Sequence, residues 1–156
     1  MDERARILVV DDDESIRKAL SAVLEEKGYY VDTAESGNEA IQKSNANFYN
    51  LALIDIRLPD MEGTMLLKAM KDSIPPMVKI IVTGYPSLGN AMEAVNKGAD
   101  AYLLKPVVME NVLKTIREYL KKQEEARKYS EDKVAEFIET RARELETETN
   151  ITQGSR

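Results

Sequence analysis

Several polar residues that can do chemistry together follow directly after short aliphatic runs of this 156-residue chain. They are Asp11 and Asp12, Asp55, Thr83 and Lys105. Carboxylates that share a small site repel one another unless a cation compensates their charge. Mg²⁺ binds one or two carboxylates together with a phosphate oxygen, and hydroxyl and ammonium groups can bind the same phosphate. The residue types therefore fit a phosphoryl receptor, in which a carboxylate can itself become an aspartyl phosphate.

Strand and helix patterns alternate along most of the chain, and this alternation positions the polar residues. Strands are predicted over 7–10, 29–34, 51–54, 79–82 and 101–104. Apolar residues at helical spacing or helix start and stop signals predict helices from 16 to a cap at Gly28, over 37–44, 64–71 and 87–97, and from about 108. The pattern is typical of an α/β protein with a parallel sheet covered by helices on both faces. Since ligands bind at the carboxyl ends of such strands, the polar residues are expected along one edge of the sheet.

Composition and charge exclude several function classes. The chain has no Cys and no His, which excludes disulfides, thiolate and imidazole metal sites, and a histidine base. Oxygen ligands remain, and they favour Mg²⁺, Mn²⁺ or Ca²⁺. A net charge of -6 and a pI of about 4.9 argue against direct nucleic-acid binding. No apolar run approaches the ~20 residues that span a membrane, and the first residues, MDERAR, lack a signal peptide's apolar stretch. A cytoplasmic protein is expected.

Four segments in order make the chain resemble the receiver domain of response regulators in two-component signalling. The segments are VVDDD at the first strand, LALIDIRLPDMEG at the third, IIVTGY at the fourth and AYLLKP at the fifth. The resemblance covers about residues 4–119 and implies a doubly wound, flavodoxin-like sheet with strand order 2-1-3-4-5. It also implies phosphorylation by a sensor histidine kinase, and a regulatory role in which the chain catalyses only its own phosphorylation and dephosphorylation.

The resemblance assigns a role to each candidate site residue. Asp55 matches the phosphoacceptor. The residues that match the Mg²⁺ ligands are Asp11, Asp12, Asp55 and, through its backbone carbonyl, Arg57. The residues that match the phosphoryl-binding and switch positions are Thr83, Gly84, Lys105 and Tyr102. Tyr102 is expected to turn inward on activation and to change the face made by the fourth helix, fifth strand and last helix, and the bond before Pro106 is expected to be cis.

Two other motif interpretations start from the same acidic run. Asp11-x-Asp13-x-Ser15 begins like a calcium-binding EF-hand loop, but Ile16 and Ala22 stand where that loop needs Gly and Glu. A haloacid-dehalogenase-like phosphatase would use Asp11 as nucleophile and Asp13 as acid. Such an enzyme also needs a late acidic pair after the lysine, whereas Val107-Val108-Met109 follows Lys105-Pro106. The phosphatase is kept as the alternative function.

The last part of the chain extends beyond what a receiver needs. The predicted organisation is a receiver over 1–121, a helical extension or linker over 122–147 and a disordered polar tail over 148–156. Ser130 is a candidate cap for a second helix, and Val134, Phe137, Ile138, Ala142 and Leu145 form an apolar stripe. We expect this extension to pack on a second copy, on its own receiver or on a further domain. A homodimer would use either this helix or the face made by the fourth helix, fifth strand and last helix.

Overall fold

The computed structural model describes residues 4–154, with side chains from 4 to 149. Five strands and five helices alternate along the chain. The strands are β1 Arg6–Val10, β2 Tyr30–Ala34, β3 Leu51–Asp55, β4 Val78–Thr83 and β5 Ala101–Leu104. The helices are α1 Glu14–Glu26, α2 Gly37–Ala46, α3 Gly63–Ala69, α4 Leu88–Asn96 and α5 Met109–Gly154.

The five strands form one parallel sheet with the order β2-β1-β3-β4-β5, as predicted. Register brings the ends of the strands level with one another. Val10 pairs with Ile54, Asp55 pairs with Val82, and Thr83 pairs with Leu104. The residues that follow these pairs therefore lie at one edge of the sheet, which is the arrangement that the alternation of strands and helices predicted.

The sheet is buried on both faces, which explains the uninterrupted aliphatic runs. Alternate residues of the central strands enter two separate apolar clusters. Leu8, Val10, Ala52 and Ile54 belong to one cluster, and Ile7, Val9, Leu51 and Leu53 belong to the other. Full burial of each large aliphatic side chain contributes about 1.5–3 kcal/mol, so the central strands form a rigid base for residues at their ends.

Polar caps and glycines set the ends of the helices. Side-chain oxygens of Asp13, Ser36 and Ser87 accept hydrogen bonds from backbone N–H groups in the first turns of α1, α2 and α4. Gly28 and Gly98 follow α1 and α4 with φ angles of 91° and 97°, a conformation that favours glycine. Each cap lies next to the end or the start of a strand. The caps and glycines therefore keep the loops between strands and helices short.

The third and last helices depart from the prediction. The third helix ends at Ala69 rather than Lys71, because Met70 leaves the helix with an extended backbone and is buried in the core.

The last helix runs without interruption from Met109 to Gly154, so Ser130 does not begin a second helix. No Gly or Pro occurs between 109 and 153, and Arg127 bonds both Glu124 and Glu131 across the expected break. Residues 148–154 are helical rather than a disordered tail, while 155–156 lie outside the described residues.

The chain divides into two compact units, Met1–Lys121 and Lys122–Arg156. The first unit holds the sheet and both apolar clusters. In the second unit, all side chains from 124 to 149 are exposed, and Arg141–Glu144 and Arg143–Glu139 ion pairs join successive turns. Over residues 4–154, none of the helices has both the length and the apolar character that a membrane span requires.

Candidate functional site

Three carboxylates meet at the carboxyl edge of the sheet. One oxygen from each of Asp11, Asp12 and Asp55 lies within 4.8 Å of the other two. Asp55 is the last residue of β3, and Asp11 and Asp12 follow β1 in the neighbouring position of the sheet. Asp11 and Asp55 are buried, whereas Asp12 is exposed. This donor set is all oxygen and strongly anionic, which suits a hard divalent cation.

Lys105 joins two of these carboxylates. Its Nζ lies 2.9 Å from Oδ2 of Asp11 and 3.3 Å from Oδ2 of Asp55. Burial alone would lower the pKa of the Lys105 ammonium group, but the hydrogen bond to Asp11 and the charges of both carboxylates raise it. Burial first, and then the nearby Asp11 charge, raise the pKa of Asp55 despite the lysine. The site is therefore left with an excess of negative charge that one lysine does not balance.

Thr83 and Gly84 lie next to this group at the end of β4. Thr83 is fully buried, and its hydroxyl oxygen accepts a hydrogen bond of 2.9 Å from the Tyr85 N–H. Its carbonyl accepts a bond of 2.8 Å from the Lys105 N–H. Since the hydroxyl acts as an acceptor there, its own proton remains available for donation. A Cβ added at Gly84 would be 3.7 Å from the Lys105 Cβ, so backbone and lysine run close together.

The β3–α3 loop, residues 56–62, carries Arg57 beside the acidic cluster. The Arg57 N–H donates to Oδ1 of Asp55 at 3.4 Å, which turns the backbone of this residue around the carboxylate. The Arg57 guanidinium stacks on the Tyr85 ring at 3.7 Å from its centroid. The side chains that follow Asp55 and Thr83 by two residues thus contact each other.

Tyr102 lies in β5, where it pairs with Ile81 two residues before the Thr83–Leu104 pair that ends the ladder, and it packs against the cluster that contains Ile54 and Ile81. Its hydroxyl is buried and has no hydrogen-bond partner among residues 4–149. A buried hydroxyl without a partner costs about 1–3 kcal/mol. The Lys105–Pro106 bond that follows is cis, as expected.

Three residues that the sequence analysis gave no role help to build the site. Arg17 of α1 donates to the Asp11 carbonyl at 2.7 Å. Gly63 comes so close to β3 that a Cβ at this position would be 2.3 Å from the Asp55 carbonyl oxygen. Asp60, in the β3–α3 loop, accepts from the N–H groups of Gly37 and Asn38 at 2.8 Å each. Asp60 and Gly63 stand in the LPDMEG segment, but nothing in their spacing indicated these partners.

Residues 7–117, more than half of the chain, match the response regulator receiver domain. The chain belongs to this family. The receiver is 39% identical over 118 residues to the transcriptional regulatory protein ZraR of Klebsiella oxytoca, covering 76% of this chain and 27% of ZraR. It is 35% identical to the DNA-binding transcriptional regulator NtrC of Proteus hauseri, covering 73% and 24% respectively. The chain therefore spans about a quarter of the length of these relatives.

Solved receiver structures match over nearly their whole length. A CheY-like receiver domain protein from Methanospirillum hungatei is 47% identical with a TM-score of 0.76, and the match covers 80% of this chain and 99% of that one. The beryllofluoride-activated NtrC4 receiver domain dimer is 40% identical with a TM-score of 0.71, covering 76% and 98%. As a receiver domain, this part of the chain is a phosphorylation-activated signalling switch.

The phosphatase alternative gains no support from these relatives, all of which are regulators or receivers. In the structure, one oxygen of Asp11 accepts from the Asp13 N–H at 2.9 Å, and the other is bound by Lys105. Asp13, the proposed acid, instead caps α1 by accepting from the Ile16 N–H at 3.1 Å.

Proposed function

We propose that Asp55 accepts a phosphoryl group from a sensor histidine kinase while Mg²⁺ is bound at the acidic cluster. The observation that carries this proposal is the convergence of Asp11, Asp12 and Lys105 on the Asp55 carboxylate at the open edge of the sheet. Mg²⁺ would be held by the three carboxylates and the Arg57 carbonyl. When bound, it supplies the positive charge that phosphoryl oxygens require during transfer.

Each residue has a distinct task in this reaction. An Asp55 oxygen attacks phosphorus, a P–O bond forms, and the P–N bond to the kinase histidine breaks, so the electron pair returns to the imidazole. Lys105 already contacts the attacking carboxylate and can bind a phosphoryl oxygen. The Thr83 hydroxyl can donate a hydrogen bond to another phosphoryl oxygen, and the backbone of Gly84 leaves room beside that oxygen. The reaction needs positioning and charge compensation but no histidine of its own.

The switch follows from the charge that transfer adds. A phosphoryl group brings about -1.5 to -2 charges to the carboxyl edge. Lys105 and Thr83 stabilise the arrangement in which both reach that charge, and Tyr102, whose hydroxyl gains no bond where it lies, moves with them. A shift from about 1% to 99% active needs roughly 5.5 kcal/mol of differential stabilisation.

Membership of the receiver family gives the chain a regulatory role. We propose that the only chemistry of this chain is its own phosphorylation and dephosphorylation. We propose a receiver over 1–121 with a helical extension from 122, located in the cytoplasm where a kinase can reach it. NtrC is a DNA-binding regulator, but the net charge of -6 leads us to propose no direct nucleic-acid contact through this chain.

Phosphotransfer tests the proposal directly. The full chain is incubated with Mg²⁺ and a small phosphodonor, and the product is reduced and mapped by mass spectrometry. We expect the label at Asp55 and at least a 100-fold lower yield for Asp55→Asn, because the amide is not a nucleophile. Asp13→Asn is a matched control that keeps the helix cap and the label. Labelling at Asp11, or labelling without Mg²⁺ at the same rate, would overturn the assignment.

A second proposal is that the protein forms a homodimer, through either of two exposed apolar surfaces. On α4, on β5 and just before α5, the exposed residues are Leu88, Met92, Val95, Leu104 and Val108. On the extension, they are Tyr129, Val134, Phe137, Ile138 and Leu145. Clusters of exposed large apolar residues are typical of interaction surfaces. The similarity to an NtrC4 receiver dimer supports a second copy as the partner.

A further inference from the structure

The β3–α3 loop is closed at its base and fastened at its tip. At the base, the Gly63 N–H donates to the Ile56 carbonyl at 2.7 Å, and Arg57 forms an isolated bridge with Glu62. The Leu58 N–H donates to the Met61 carbonyl at 3.2 Å and closes a tight turn. The tip of the loop is thus joined to Arg57 at its base by a short hydrogen-bonded turn.

The tip contact is made by Asp60. Its two carboxylate oxygens each accept one N–H at the start of α2, Gly37 at 2.8 Å and Asn38 at 2.8 Å. These N–H groups have no partner within a helix, so a carboxylate there is bound by both donors and by the helix dipole. The same hydrogen bonds, from Asn38 first and then Gly37, favour the ionised carboxylate and lower the pKa of Asp60.

Gly37 makes this contact possible from the other side. A Cβ at this position would be 2.4 Å from the Met61 Sδ, so the loop lies directly against the first turn of α2. The α2 helix has its own cap as well, because the Ser36 Oγ accepts from the Glu39 N–H at 3.1 Å. Asp60 therefore adds a link between two segments instead of serving as the only cap of the helix.

We propose that Asp60 is a positioning residue for the metal site: it fastens the β3–α3 loop to the N-terminus of α2 and thereby fixes the Arg57 carbonyl beside Asp55. This proposal rests on the proposed Mg²⁺ site. The link is separate from that site's ligands, because the Asp60 carboxylate binds two N–H groups of α2 and acts on the site through the loop.

The test measures Mg²⁺ affinity of the full chain by titrating its amide NMR shifts with MgCl₂. We expect Asp60→Ala to weaken Mg²⁺ binding about 10-fold, as removal of an outer partner of a metal site commonly does. Asp60→Asn should recover part of the affinity, because its side-chain carbonyl still accepts one N–H. Ser36→Ala is the matched control: it removes a cap from the same helix but leaves the loop fastened.

The outcomes separate this inference from the proposed function. If the unmodified chain does not bind Mg²⁺, the proposed metal site fails. If the unmodified chain binds Mg²⁺ and the affinity of Asp60→Ala is within 2-fold of that value, the positioning role is overturned. It is also overturned if Ser36→Ala weakens Mg²⁺ binding as much as Asp60→Ala does. Urea denaturation of each variant shows whether a loss of affinity accompanies a general loss of stability, and a non-folding Asp60→Ala leaves Asp60→Asn to decide the matter.

Discussion

At the residue scale, Asp55 is subject to opposing electrostatic effects. Burial of its carboxylate and the nearby Asp11 charge favour the protonated acid. Lys105 favours the ionised form, yet the pKa of Asp55 stays raised. A raised pKa in the folded state means that the ionised group reduces stability: the stability it contributes is complete below its unfolded pKa and is lost as pH rises through the folded pKa.

Asp55→Asn is therefore expected to increase the stability of the metal-free protein. At pH 7 in a chelator, we expect its free energy of unfolding to rise by about 1 kcal/mol. The gain should vanish at acid pH, where Asp55 is protonated in both states, and should shrink when Mg²⁺ compensates the carboxylates of the unmodified chain. Urea denaturation at several pH values, with and without Mg²⁺, measures this. A loss of stability at pH 7 would contradict the repulsion that we describe.

At the scale of elements, the joint between β3 and α3 sets the geometry of the site. α3 begins at Gly63, directly against the backbone of β3. The space beside Gly63 ends at backbone atoms, the Asp55 carbonyl oxygen and the Ile56 Cα, which cannot move aside as a flexible side chain can. Because glycine has no Cβ, Gly63 lets α3 approach β3 this closely, and the close contact sets the direction in which the β3–α3 loop leaves the strand.

Gly63→Ala is expected to lower the free energy of unfolding by about 1–3 kcal/mol, as overpacking of a close contact does. Gly89→Ala is the matched control, because Gly89 lies in α4 and a Cβ there meets nothing within 4 Å. Alanine is the better helix former, so the control is expected to gain up to about 1 kcal/mol. Urea denaturation compares the two; equal stability of both variants would show that the joint can relax.

At the scale of the whole molecule, the question is which apolar surface a second copy uses. The extension is one continuous helix whose surface carries mostly acidic and basic side chains. Phe137 and Ile138 are apolar exceptions on this surface, and they are 72% and 61% exposed. Such exposure on an otherwise charged helix favours association over an isolated helix in water.

Sedimentation of the full chain, of residues 1–121 and of a Phe137→Ser/Ile138→Ser variant decides this. We expect the full chain to form dimers, and both altered chains to associate at least 10-fold more weakly, because the apolar stripe is lost. Asp132→Ser/Glu136→Ser changes two exposed polar residues of the same helix and should leave the dimer unchanged. If residues 1–121 dimerise as strongly after phosphorylation, the α4–β5–α5 face is the interface. If every chain stays monomeric with and without phosphodonor, the homodimer proposal is wrong.

The sequence by itself determined the parallel sheet and the edge of the sheet at which Asp11, Asp55, Thr83 and Lys105 lie. The strand order came from the resemblance to receiver domains. Those predictions rest on local signals: aliphatic runs for strands, short polar residues for caps, and the rule that parallel strands end at one edge. Only the tertiary structure decided that Asp60 binds the N-terminus of α2, 22 and 23 residues earlier in the chain. Such partners depend on how loops lie over the folded core, which no local pattern specifies. Ser130 shows the same limit, because a residue that can cap a helix can also continue one when ion pairs span it.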